Sequence, residues 1–170
     1  MLATVTPAAT EPVTLDEAKA HLRVVHSFDD QLISSLITSA REVVELNTGR
    51  ALAEAGYLWA SDSGRFPVEL PLWPIETLSA VTYADDAGVR HPITDYVFDV
   101  NRSVLAFTAG TDRRSLNVEF TTSPAVVPEA LKSAIKLRVQ AEYESEVDQV
   151  AKIIEAAERI EFRFRVNLGV

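Results

Sequence analysis

Val13-Thr14-Leu15-Asp16-Glu17-Ala18-Lys19-Ala20-His21-Leu22-Arg23 opens the first helical pattern of the chain. Thr14 and Glu17 have the spacing of a capping box, in which the hydroxyl serves the amide of the third helical residue and the carboxylate reaches back to the cap amide. Val13 and Ala18 hold the flanking apolar positions, and Ala18 and Leu22 share one face. The pattern predicts a helix over about 15–23. Val24-Val25-His26-Ser27-Phe28 is a short connector, and Ser27 or Asp29 is placed to cap a second helix over about 29–48. Its apolar positions are Leu32, Ile33, Leu36, Ile37, Ala40, Val43 and Val44, in steps of three and four that form a stripe facing a core. Asn47-Thr48-Gly49 supplies the stop, because Gly and Asn tolerate a left-handed cap. Before this unit, the residues through Pro12 read as an extended arm.

From Tyr57 to Thr122 the period drops to two. Tyr57–Ala60 and Phe66–Leu70 are short strand candidates around the turn Asp62-Ser63-Gly64. Leu78–Tyr83 alternates well, and Asp85-Asp86-Ala87-Gly88 is a turn with Gly where positive φ is needed. Val89–Ile93, Tyr96–Val100, Ser103–Phe107 and Leu116–Phe120 complete a meander, separated by Asn101-Arg102 and by Thr108–Asp112. Ser123-Pro124 closes it. Pro128 suits the first turn of a third helix over about 128–144, carried by Leu131, Ala134, Ile135 and Arg138. The helical pattern either continues past Tyr143 or breaks near Ser145 and restarts at Asp148, with Val147, Val150, Ile154 and Ala157 as its stripe. The expected fold is α+β: mainly a helical bundle, with a small antiparallel β insertion between the second and third helices. Leu32, Leu36, Val43, Leu131 and Ile135 are the expected buried set.

The chain has 170 residues, no Cys, and 16 basic against 25 acidic residues, a net charge of −9. That balance opposes a tight nucleic-acid clamp, which needs a basic surface to displace counterions. It is compatible with a protein that encloses DNA without gripping it. No stretch reaches the ~18 apolar residues of a membrane span, and the N-terminus lacks the pattern of a secretion signal. Thiol chemistry and disulfides are excluded. The motifs of nucleotide binding, zinc hydrolysis and serine hydrolysis are missing, so no catalytic, cofactor or metal residues are expected. His21, His26 and His91 read as surface or boundary residues, Asp29-Asp30 as first-turn carboxylates favoured by the helix dipole, and Asp85-Asp86 as turn residues.

Three features point to partners. Glu142, Glu144, Glu146 and Asp148 form an acidic run, read either as a solvated face or as a channel or interface surface; on one helix 142 and 146 share a face, as do 144 and 148. Trp73, within Leu70-Pro71-Leu72-Trp73-Pro74, fits core and contact surface equally. At the C-terminus, Phe162, Phe164, Val166 and Leu168 lie on one side of an extended chain, with Arg163 and Arg165 on the other. Such a strand either joins its own sheet or docks on a partner as an arm.

The order of segments resembles the head-tail connector (adaptor) family of tailed phages and phage-like particles. The resemblance runs through Val13–Arg23, Asp29–Ile33, Ala40–Glu45, Thr48–Arg50, Leu70–Ile75, Val81–Gly88 and Val127–Ile135, covering about residues 12–143. The chain departs from the family at Thr121–Ala125, where a Gly-containing turn is usual, and at Glu144-Ser145-Glu146, where basic and amide residues are usual. The chain is read as one connector domain over 1–170, with helices at about 15–50, a β insertion at about 57–122, helices at about 128–161 and an extended tail at 162–170; the part from about Val147 rests on its own residues and not on the resemblance. The resemblance implies a dodecameric ring beneath the portal in the virion neck, assembled in the host cytoplasm. Such a ring extends the DNA channel without sequence-specific contact and docks a tail-side stopper or tail terminator protein. Phe162, Arg163, Phe164, Arg165, Val166 and Leu168 would then form a portal-binding arm, with Trp73 a neck or subunit contact. The alternatives are a hydrolase using Asp29, Asp30, Glu142 or Glu146, and a monomeric peptide-binding module using the sheet edge.

Overall fold

A computed structural model of the chain describes residues 1–62, 67–107, 115–124, 126–144 and 146–166. The turns expected at Ser63-Gly64 and Thr108–Asp112, and Leu168 of the tail, lie outside these residues. The chain divides into two compact units, one built on Met1–Ala9 with Ala53–Pro124 and the other on Thr10–Leu52 with Ala125–Val166.

The first unit holds the strands β1 (Leu2–Thr6), β2 (Ala55–Ser61), β3 (Val68–Glu69), β4 (Ile75–Ala84), β5 (Arg90–Pro92), β6 (Tyr96–Asp99), β7 (Val104–Phe107) and β8 (Leu116–Thr122). They form two antiparallel sheets, ordered β1-β2-β8-β4-β5 and β3-β7-β6. β8 is central in the first sheet because alternate residues Leu116, Val118, Phe120 and Thr122 are buried. Tyr57 lies opposite Phe120, and their rings stack with centroids 5.6 Å apart. Leu70, Leu72, Leu105, Leu116, Val118 and Phe120 share one apolar core. At Gly56 a Cβ would sit 3.0 Å from the Thr6 side chain, so this position lets β1 close against β2. Gly88 takes φ +80° in the turn before β5, as its position in Asp85–Gly88 requires.

The expectation of a mainly helical bundle with a small insertion is overturned. Among the described residues 39% are helical and 29% are strand, and the strands close two sheets around a core of their own. The single meander is also replaced, because β2 pairs with β1 and β8 rather than with β3. The N-terminal arm is extended, as expected, but lies on the sheet edge as β1. A two-residue period marks a strand without naming its partner, and several of these pairings join distant segments.

The second unit holds α1 (Leu15–Leu22), α2 (Asp30–Thr48), α3 (Glu129–Tyr143) and α4 (Val147–Phe164). The capping box forms as expected: Glu17 N–H donates to Thr14 Oγ1 at 3.2 Å and Thr14 N–H to Glu17 Oε2 at 2.8 Å. The Thr14 amide, first among several causes, holds the Glu17 carboxyl below its ordinary range. Gly49 ends α2 at φ 68°, its N–H donating to Glu45 O. Pro128 stands one position before α3, as its cap.

The buried residues of α2 are Ile33, Ile37, Ala40, Arg41, Val44, Glu45 and Thr48. The expected set is therefore corrected at Leu32, which is exposed, and at Leu36 and Val43, which are half-buried. Leu131 and Ile135 are fully buried, as expected, and join Ile33, Ile37 and Val44 in the helical core. The correction is a rotation of one residue about the helix axis. An apolar arc with neighbours on both edges leaves its centre open until the packing partners choose it.

Candidate partner-binding surfaces

The C-terminus is where sequence and structure differ most. Phe162, Arg163 and Phe164 form the last turn of α4, not an extended strand. Successive helical side chains are about 100° apart, so the two phenylalanines separate. Phe164 turns onto the helical core, whereas Phe162 is 78% exposed. Arg163 and Arg165 are exposed and Val166 is half-buried. The one-sided apolar arm over 162–166 is therefore not realised.

What holds this end in place is polar. Glu161 is buried and takes two hydrogen bonds from Arg138, Nε to Oε1 at 2.5 Å and Nη2 to Oε2 at 2.8 Å. Asn47 Nδ2 adds a third at 2.8 Å. Arg50 Nε donates to Phe164 O at 2.7 Å and Val166 N–H to Thr48 O at 2.8 Å. Glu161 thus joins α2, α3 and α4, and its ion pair holds the Arg138 guanidinium above its ordinary range. A second buried group has the same logic: Arg41 donates to Glu11 at 2.8 Å and to Glu45 at 2.5 Å, and Glu45 also accepts Leu52 N–H. Sequence reading missed both networks. The only local signal was the four-residue spacing of Arg41 and Glu45.

The acidic run falls at a break between helices. Glu142 is exposed on α3, Glu144 caps that helix in an extended conformation, Glu146 precedes α4, and Asp148 lies in its first turn. The pairing of 142 with 146, and of 144 with 148, on one continuous helix is not realised. Glu146 accepts from Gln149 Nε2 at 2.6 Å.

Asp29 and Asp30 carry structural contacts. Tyr143 Oη donates to Asp29 Oδ2 at 2.7 Å, which holds the tyrosine hydroxyl above its ordinary range, and Lys19 Nζ donates to Asp30 Oδ1 at 2.5 Å. Asp29 stands at the N-cap of α2 but makes no side-chain cap bond. A polar cleft of about 760 Å³ is lined by His21, Leu22, Arg23, Gln140, Tyr143 and Glu144, with His21 Nε2 lying 2.9 Å from Gln140 Oε1. A smaller cleft of about 270 Å³ lies between the ends of α2 and α4, lined by Leu46, Asn47, Glu158, Glu161, Phe162 and Arg165. In the sheet unit Trp73 is half-buried and precedes a cis proline, Pro74. Among the described residues no three His, Cys, Asp or Glu are placed to hold a metal ion, and no helix is long and apolar enough to cross a membrane.

Over residues 12–84 the chain matches the family of phage gp6-like head-tail connector proteins, so the resemblance read from the sequence holds for that segment. That family is one of structural connectors. The fold as a whole is similar to chains in three solved structures of gene transfer agent (GTA) particles. One is from the neck of the native particle, computed with C12 symmetry, at TM-score 0.65 and 24% identity. Another is from the neck of the empty particle, computed with C6 symmetry, at 0.64 and 23%. The third is from the virion of the native particle, at 0.63 and 22%. Each match covers 98% of this chain and 95% of the other. Among curated proteins none matches the chain.

Proposed function

We propose that the protein is a head-tail connector of a tailed phage or phage-like particle, located in the neck and assembled there as a ring. The observation that carries this reading is a coincidence of two likenesses. The connector family match lies at residues 12–84, and nearly the whole chain has the fold of chains found in particle necks. The C12 symmetry of one such neck supports a dodecamer beneath the portal, with a tail-side neck protein below. The net charge of −9 suits a channel that lets DNA slide, because an acidic wall repels phosphates.

Within this reading, Glu142, Glu144, Glu146 and Asp148 face the channel or a subunit boundary, and Trp73 is a neck or subunit contact. The portal-binding segment, proposed as Phe162, Arg163, Phe164, Arg165, Val166 and Leu168, is narrowed to Arg163, Val166 and Leu168, since Phe164 belongs to the helical core and Phe162 and Arg165 line the cleft between the ends of α2 and α4. The test is native mass measurement of the protein alone and mixed with its portal. The expected result is a portal-bound species carrying about twelve times the 18.7 kDa chain mass. A chain that stays monomeric and unbound beside its portal overturns the proposal. Reversing Glu146 and Asp148 to Lys should leave the monomer folded and reduce the yield of DNA-filled particles.

A further inference from the structure

In the helical unit, exposed apolar side chains gather at opposite ends of α2. At its N-terminal end the α1–α2 turn presents Val25 and Phe28, 96% and 92% exposed, beside the exposed Leu32. The Phe28 ring is braced by His26, with ring centroids 5.7 Å apart. At its C-terminal end Leu46 and Phe162 are also exposed, and they flank the cleft of about 270 Å³. One group projects from a turn and the other borders a concavity. At about 1.5 Å per helical residue, Leu46 lies more than ~20 Å along α2 from the turn.

We propose that these are the two halves of one contact between copies of this chain: the Val25–Phe28 turn of one copy seats in the Leu46–Phe162 cleft of the next. This rests on the ring reading above. A ring closed by rotation needs a heterologous contact, made by two different surfaces of the same chain, whereas a two-fold contact uses one surface twice. The charges agree with that pairing. Glu161 in the cleft and Asp30 beside the turn are already held by Arg138 and Lys19; that leaves Glu158 and Arg165 at the cleft, and Arg23 and Asp29 at the turn, to meet as opposite charges. Arg23 and Glu158 form no side-chain hydrogen bond or ion pair among the described residues, and both are exposed. The occupant is a second copy, and Phe162 belongs to the ring rather than to the portal.

The chain has no Cys, so engineered thiols report without background. Phe28→Cys and Leu46→Cys are placed together in one full-length chain, assembled with portal and oxidised. An internal bridge is excluded by distance, since bridged Cα atoms lie within about 7 Å. The expected result is a ladder of covalent multimers on a non-reducing gel, with neither single variant going beyond dimers. A ring of wild-type mass that yields no ladder overturns this contact and leaves the ring reading intact. Dimers from Phe28→Cys alone, without a ladder from the pair, also overturn it, since they indicate a two-fold contact. Failure of the wild-type chain to form any ring removes both proposals. As a second readout, Phe28→Asp and Phe162→Asp should each weaken ring assembly by about tenfold or more, the effect of losing a central apolar anchor. Melting temperature should hold for both, and Val97→Asp, at another exposed apolar position, should assemble normally.

Discussion

Arg138 grips Glu161 through two parallel hydrogen bonds of 2.5 and 2.8 Å, and the carboxylate is buried between three helices. This forked geometry is the strong form of an ion pair. Removing one partner from a buried pair leaves an uncompensated charge and costs about 3–5 kcal/mol. Glu161→Ala should therefore destabilise the protein by about that amount in denaturant titration. The double variant Arg138→Met with Glu161→Leu should recover most of it. If the double variant is no more stable than the single one, the cost does not come from the Arg138 charge left unpaired.

Adjacent residues on α2 test its orientation. Ile33 is fully buried and Leu32 is exposed. Ile33→Ala should cost about 2–5 kcal/mol, whereas Leu32→Ala should stay within about 0.5 kcal/mol in the isolated chain. Leu36, half-buried at the edge of the stripe, should fall between them. Equal costs at positions 32 and 33 would contradict the rotation of the helix.

The capping box should be visible in acid. The Thr14 amide holds the Glu17 carboxyl below its ordinary range in the folded chain. A depressed folded value adds stability that is present above the unfolded-state value, and this is lost as pH falls through the folded one. Stability measured from pH 7 down through about 4, the ordinary Glu range, should decline less steeply in Glu17→Gln than in wild type. Thr14→Ala should cost about 1 kcal/mol at neutral pH by removing the cap acceptor.

Two truncations separate the roles of the C-terminus. Removing 162–170 takes away Phe164, its carbonyl bonded to Arg50, and Val166 bonded to Thr48. That variant should lose several degrees in melting temperature. Removing only 167–170 leaves all of these contacts, so its melting temperature should match wild type while portal binding weakens. Normal portal binding by the shorter deletion would exclude Leu168 from the portal contact.

Helix ends were legible in the residues themselves. Thr14 with Glu17, Gly49 and Pro128 act within about four positions of their own place in the chain, so their hydrogen bonds depend on local conformation alone. Strand positions were legible for the same reason, through alternation at Leu78–Tyr83 and Leu116–Phe120. Only tertiary structure decided that β8 lies between β2 and β4, and that the β segments form two sheets with a core of their own. It also chose Ile33 over Leu32 on a helix whose sequence offered both. At the C-terminus, Phe162 and Phe164 satisfy a two-residue period, yet Ala157, Ile160, Glu161 and Phe164 also satisfy a helical one. The helix prevails through groups distant in sequence: Arg138 and Asn47 on Glu161, Arg50 on the Phe164 carbonyl. A buried carboxylate keeps its charge only where such donors converge on it, and that convergence exists only once the helices have packed.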